Sequence, residues 1–141
     1  MRNFITAGVA LLLLASVTAC FAGPKTTSFV GTWSMKSEGG VLVRGEKTSN
    51  TTHWEKQQST IEGEIVITEQ KGRVMYGFFT SNKIAKESFV GVIGNDNKIY
   101  FADADGFFEG MIINADAIEI VYRHVTPTDT VVSIGTWTRK K

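Results

Sequence analysis

Along most of this chain, apolar and polar residues alternate one by one in short runs, and turn-forming pairs separate the runs about every 8 to 12 residues. The runs fall at 29–36, 41–46, 51–57, 61–69, 73–80, 88–94, 98–103, 107–113, 117–124 and 130–139, and no helical periodicity lasts three turns. Lys71-Gly72, Asp96-Asn97, Asp105-Gly106 and Asp116-Ala117 read as tight hairpin connections, so consecutive strands form a meander. Only residues 81–87 offer a helical turn.

Alternation also assigns faces. Phe29, Gly31, Trp33 and Met35 share one side of the first run; Ile61, Ile65 and Ile67 oppose Glu62, Glu64 and Thr68; Ile118, Ile120 and Tyr122 oppose Glu119 and Arg123. A sheet with one apolar face and no helix to cover it must close on itself or pack on a second sheet. The reading is therefore all-β, an antiparallel up-and-down meander barrel of about eight strands, with a β-sandwich as the alternative. Runs 73–80 and 107–113 are apolar on both faces, so one face fills the barrel and the other needs cover by a loop, a partner or a membrane.

The N-terminus has a different grammar. Arg2 precedes an apolar stretch from Phe4 to about Val17, and Thr18-Ala19 leads to Cys20, the single cysteine. The stretch is too short and too interrupted to read as a membrane span. One thiol in an exported domain forms no internal disulfide and needs another explanation. Val17-Thr18-Ala19-Cys20 resembles the lipobox of bacterial lipoproteins, which implies cleavage after residue 19 and diacylglyceryl transfer to the Cys20 thiol. Two or three acyl chains anchor stably, at about 0.8 kcal/mol per buried methylene. The resemblance implies a membrane partner through lipidated Cys20 and, with Phe21 rather than aspartate next, an outer-membrane address facing the periplasm in a Gram-negative cell. Residues 1–19 are then the signal, 20–28 a tether extending at most about 29 Å past the cysteine, and 29–141 one domain.

Removing residues 1–19 takes away Arg2 and leaves 14 Lys+Arg against 14 Asp+Glu, so the charge balance implies no nucleic-acid partner. A domain of this length, with most of the chain's nine Phe and all three of its Trp, can build a core without disulfides.

Phe29-Val30-Gly31-Thr32-Trp33 resembles the Gly-x-Trp opening of the lipocalin and avidin barrels, the calycins, and Ile134-Gly135-Thr136-Trp137-Thr138-Arg139 resembles their closing strand. That resemblance implies that Arg139 stacks on Trp33 and closes one end of the barrel by a cation-π contact. The later strands lack the Trp set of an avidin site, so biotin is not the implied ligand.

The chemistry-bearing residues are sparse. Asp103, Asp105 and Glu109 flank a glycine, but calcium-loop spacing would need an oxygen ligand at Phe101 and a carboxylate at Ile112, so the acids read as a solvated hairpin tip. His53 and His124 have no metal-ligand spacing, and there is no Gly-x-Ser-x-Gly elbow. No metal, cofactor or catalytic set is expected. The leading expectation is a noncatalytic, lipid-anchored envelope barrel that binds a small, mostly apolar ligand or an envelope component, with Trp33, Tyr76, Phe101 and Tyr122 as ligand-binding candidates. The alternatives are an interaction or inhibitor module using the outer apolar face of 73–80 and 107–113, and a barrel enzyme on an apolar substrate, as in the allene oxide cyclases.

Overall fold

A computed structural model describes residues 27–45 and 54–141. The signal segment, Cys20, the tether as far as Thr26 and His53 lie outside the described residues. Eight strands follow in chain order: β1 (Gly31–Arg44), β2 (Trp54–Lys71), β3 (Val74–Ser81), β4 (Glu87–Ile93), β5 (Lys98–Ala102), β6 (Gly106–Asn114), β7 (Ala117–Val125) and β8 (Asp129–Arg139). Each pairs antiparallel with its sequence neighbours, and β1 pairs with β8, which closes the barrel. This is the meander barrel expected from the alternation.

The alternation holds inside. Trp33, Met35, Ile65, Ile67, Met75, Phe79, Ile118, Ile120 and Trp137 are all buried, and among the described residues the core contains no buried polar or charged side chain. Full burial of side chains of this size contributes about 1.5–3 kcal/mol each. Where both faces were apolar, the structure chooses: Met75, Phe79 and Phe108 turn inward while Val74, Tyr76, Phe107 and Ile113 turn outward.

Several local expectations are corrected. The first two runs are one strand of 14 residues, and the next two merge into one of 18. Gly39-Gly40 lies within β1, and at Gly39 the carbonyl of Val132 and the Ser133 backbone approach too closely for a Cβ. Residues 82–86 form no helical turn; the Ser81 hydroxyl accepts the N–H of Lys83 and of Ile84 and bends the chain directly into β4. The turn after β2 is Gly72-Arg73 rather than Lys71-Gly72, and the one after β6 is Ala115-Asp116 rather than Asp116-Ala117. Asp105-Gly106 is not a tight hairpin with positive φ. Gly106 opens β6 and is glycine for another reason, since the Tyr122 ring occupies the space of a Cβ.

The two ends of the barrel differ. At one, Phe29 stacks on Trp33 with ring centroids 6.1 Å apart, and the Trp33 indole N–H donates to the Phe29 carbonyl at 3.0 Å. Gln70 holds the incoming chain by accepting the Phe29 N–H at 2.8 Å and donating to the Thr27 carbonyl at 3.0 Å. The Arg139 guanidinium lies 4.3 Å from the Trp33 ring centroid and donates to the carbonyls of Ser28, Val30 and Ala115. This end is filled. The opposite end carries the connections after β3, β5 and β7, and there the interior is not filled.

Candidate functional site

Beneath that second end lies a cavity of about 150 Å³. Met35, Phe79, Phe108, Ile120 and Trp137 form its apolar lower wall, with Ile61, Ile84 and Val131 higher up. Ser37, Ser59 and Ser133 add small polar groups, while Glu87, Asp105, Tyr122 and His124 line one side. Cavities of about this volume accept a molecule the size of benzene.

The polar side is one connected network. Tyr122 Oη lies 3.1 Å from Asp105 Oδ1 and 2.8 Å from His124 Nδ1, and His124 Nε2 lies 3.0 Å from Asp129 Oδ1. Strand parity places Tyr122 and His124 on the same inward row of β7, and the turn Thr126–Asp129 folds Asp129 back under the imidazole. Burial, followed by the charges of Asp103 and Asp105, holds the Tyr122 phenol far above its ordinary range. The phenol is therefore a neutral donor at any physiological pH.

Glu87 begins β4 beside this network. Burial is the first cause and the neighbouring Asp103 and Asp105 charges the next in raising its carboxyl above the ordinary value. Carboxylate oxygens of Glu87, Asp103 and Asp105 all lie within 4.8 Å of one another. The acidic tip is therefore not uniformly solvated. Asp105 is exposed, but Asp103 is half-buried, its Oδ1 accepts the Gly106 N–H at 2.6 Å, and its Oδ2 is buried without a partner. Burial, as the first cause, holds its carboxyl above the ordinary carboxylate value as well. Glu109 leaves the group altogether: it pairs with Lys98 at 2.7 Å and lies 3.6 Å from Arg123 on the outer surface.

Of the four ligand-binding candidates, only Tyr122 lies on the cavity wall. Trp33 packs at the filled end beneath Phe29. Phe101 is buried below the cavity, its ring centroid 5.0 Å from that of Trp137. Tyr76 is 46% exposed on the outside of β3, because the inward parity of that strand belongs to Met75 and Phe79. Alternation could not choose between two apolar faces there. Glu87, Trp137 and Ser133 were missed as wall residues. The closing run was assigned no face, and Glu87 stands where a loop becomes a strand, so alternation is silent there.

Outside, the pairings Val74 with Val92, Tyr76 with Val90, Val92 with Tyr100 and Ala102 with Phe107 join β3 to β6 in one exposed apolar face. Phe107 and Ile113 there are 68% and 60% exposed.

No protein-family profile matches the chain, and no curated protein matches it. Among solved structures, a redesigned beta barrel matches at TM-score 0.49 and 9% identity over 79% of this chain and 91% of that one. An S-type phycobiliprotein lyase from Guillardia theta matches at TM-score 0.38 and 13% identity over 80% and 89%. The closed barrel is defined by the strand pairing itself.

Proposed function

We propose that the protein is a lipid-anchored barrel of the cell envelope that binds a small, mostly apolar molecule without transforming it. The observation that carries the reading is the cavity of about 150 Å³ inside the barrel, apolar over its lower wall and with its charged and titratable groups gathered on one side. The lipid anchor rests on Val17-Thr18-Ala19-Cys20 and the single thiol. Native mass spectrometry of the protein purified from its source should detect a bound small molecule, and a ligand-free protein that takes up no apolar probe overturns the binding claim.

Two alternatives have observations of their own. Glu87, Tyr122 and His124 beside an apolar cavity favour a barrel enzyme acting by proton transfer, in which case product accumulates when candidate ligands are incubated with the protein. The apolar face from β3 to β6 favours an interaction module, which predicts an assembly larger than the monomer by sedimentation.

A further inference from the structure

The carboxylates of the cavity wall have no cation to answer them. Glu87 opens β4 and Asp105 stands just before β6, so both reach the wall from connections at the open end, and Asp103 has a carboxylate oxygen within 4.8 Å of each. No Lys or Arg is on the wall. Arg44, Lys83 and Lys86, at strand ends or connections of this rim, are engaged elsewhere. The Arg44 guanidinium donates to the Pro127 carbonyl at 3.1 Å, exposed Lys83 donates to the Ser59 hydroxyl on β2 at 2.7 Å, and Lys86 lies 4.1 Å from the Phe78 ring centroid. The His124 imidazole is taken up by Tyr122 and Asp129. None of the ion pairs among the described residues involves Glu87, Asp103 or Asp105.

Below this group the wall changes character. Met35, Phe79, Phe108, Ile120 and Trp137 offer apolar surface around a space of about 150 Å³, enough for a benzene-sized body, and a charge placed that deep would have no partner. At the mouth the balance reverses. Burial and then the charges of Asp103 and Asp105 hold the Glu87 carboxyl above its ordinary value, so a cation set among these groups offsets a repulsion that the fold leaves standing. A cation there also keeps part of its hydration, which spares it the penalty of full burial. An anionic head would instead meet like charge in a space of lowered dielectric.

We infer that the cavity selects a small cationic amine: an apolar body about the size of a benzene ring enters first and packs on the lower wall, and its ammonium stays at the mouth, donating to Glu87 and Asp105. This rests on the cavity-binding reading above and names the chemical class of the ligand. The cavity is the site, and the carboxylates decide only the sign of the charge it accepts.

The test is calorimetric titration of the protein at pH 7 with three probes of similar shape, benzylamine, benzyl alcohol and benzoate, and with methylammonium as a probe that has the charge and no ring. Benzylamine should bind about 5- to 10-fold more tightly than the alcohol, because hydrogen bonds to charged groups outweigh neutral ones by about that factor. Benzoate should bind more weakly than the alcohol, and methylammonium more weakly than benzylamine. In Glu87→Gln and in Asp105→Asn the preference for benzylamine over the alcohol should fall at least 3-fold, and in the double variant it should vanish. If the alcohol or benzoate binds wild type as tightly as benzylamine, the inference is wrong and the cavity reading stands. A preference that survives the double variant, or methylammonium binding as tight as benzylamine's, also overturns it, since the charge is then read away from these carboxylates or without the cavity. If none of the three ring probes binds, the cavity reading fails and this inference fails with it. Should a variant fail to fold, the wild-type ranking of the four probes decides alone.

Discussion

Replacing Arg139 by alanine removes the clasp of the filled end, and its cost can be worked contact by contact. The guanidinium donates to the carbonyls of Val30 at 2.9 Å, Ser28 at 3.0 Å and Ala115 at 3.1 Å, and stacks 4.3 Å from the Trp33 ring centroid. Its ion pair with Asp116 at 3.0 Å involves a carboxylate that is 60% exposed and adds little. Hydrogen bonds from a charged donor contribute about 1.5–3 kcal/mol each and an exposed cation-π contact about 0.5–1 kcal/mol. The sum overstates the loss, because the freed carbonyls regain water and contacts that share one side chain are not additive. We expect Arg139→Ala to lose about 3–4 kcal/mol, which at about 4 °C per kcal/mol for a domain of this size lowers Tm by about 12–16 °C. Arg139→Lys keeps the charge but not the planar fork that reaches three carbonyls, and should lose at least half as much. Urea denaturation and calorimetry give both numbers. A Tm change below about 3 °C in Arg139→Ala, or a lysine variant as stable as wild type, refutes the argument that this fork holds the N-terminal segment to the closing strand.

Gly106→Ala puts a methyl where the Tyr122 ring lies, so it should cost about 1–3 kcal/mol and perturb the near-ultraviolet signal of that tyrosine. Asp103 is held above its ordinary carboxylate value by burial, which means the native state takes up its proton more readily than the unfolded chain and this group's stabilising contribution falls as pH rises from below 3.8 through its native value. Asp103→Asn keeps an oxygen for the Gly106 N–H, so it should raise Tm at pH 7 and leave it little changed at pH 3; a lower Tm at pH 7 contradicts the sign. Cys20→Ala should move the protein from the membrane to the soluble fraction, and a variant that stays membrane-bound dismisses the anchor.

The barrel was legible because period-two alternation is enforced wherever one face of a strand is buried. Trp33, Ile65 and Ile120 could occupy only one side. It was least legible where that rule is silent. Tyr76 and Met75 compete for the interior of β3 on equal hydrophobic terms, and the winner is set by pairing with β2 and β4 across the sheet, which no local pattern contains. The site was harder still. Tyr122 could be placed inward from its strand, but Glu87 and Asp105 reach the cavity from loop margins, where backbone direction depends on local hydrogen bonds such as those of Ser81 and Asp103. Gly106 illustrates the same limit, since its pairing with aspartate imitates a turn signal while its actual constraint is a ring 16 residues further along the sequence.

The chain enters the barrel at its filled end, where Gln70, Trp33 and Arg139 grip residues 27–30. Any attachment upstream of Thr27 therefore pulls on the plugged base, and tension is taken up by side-chain bonds to the backbone before it reaches the β1 ladder. The cavity opens at the far rim, at the end of the barrel opposite residues 27–30. Whatever holds the chain upstream, a resident molecule would enter and leave by that rim and not through the end where Phe29, Trp33 and Arg139 fill the barrel.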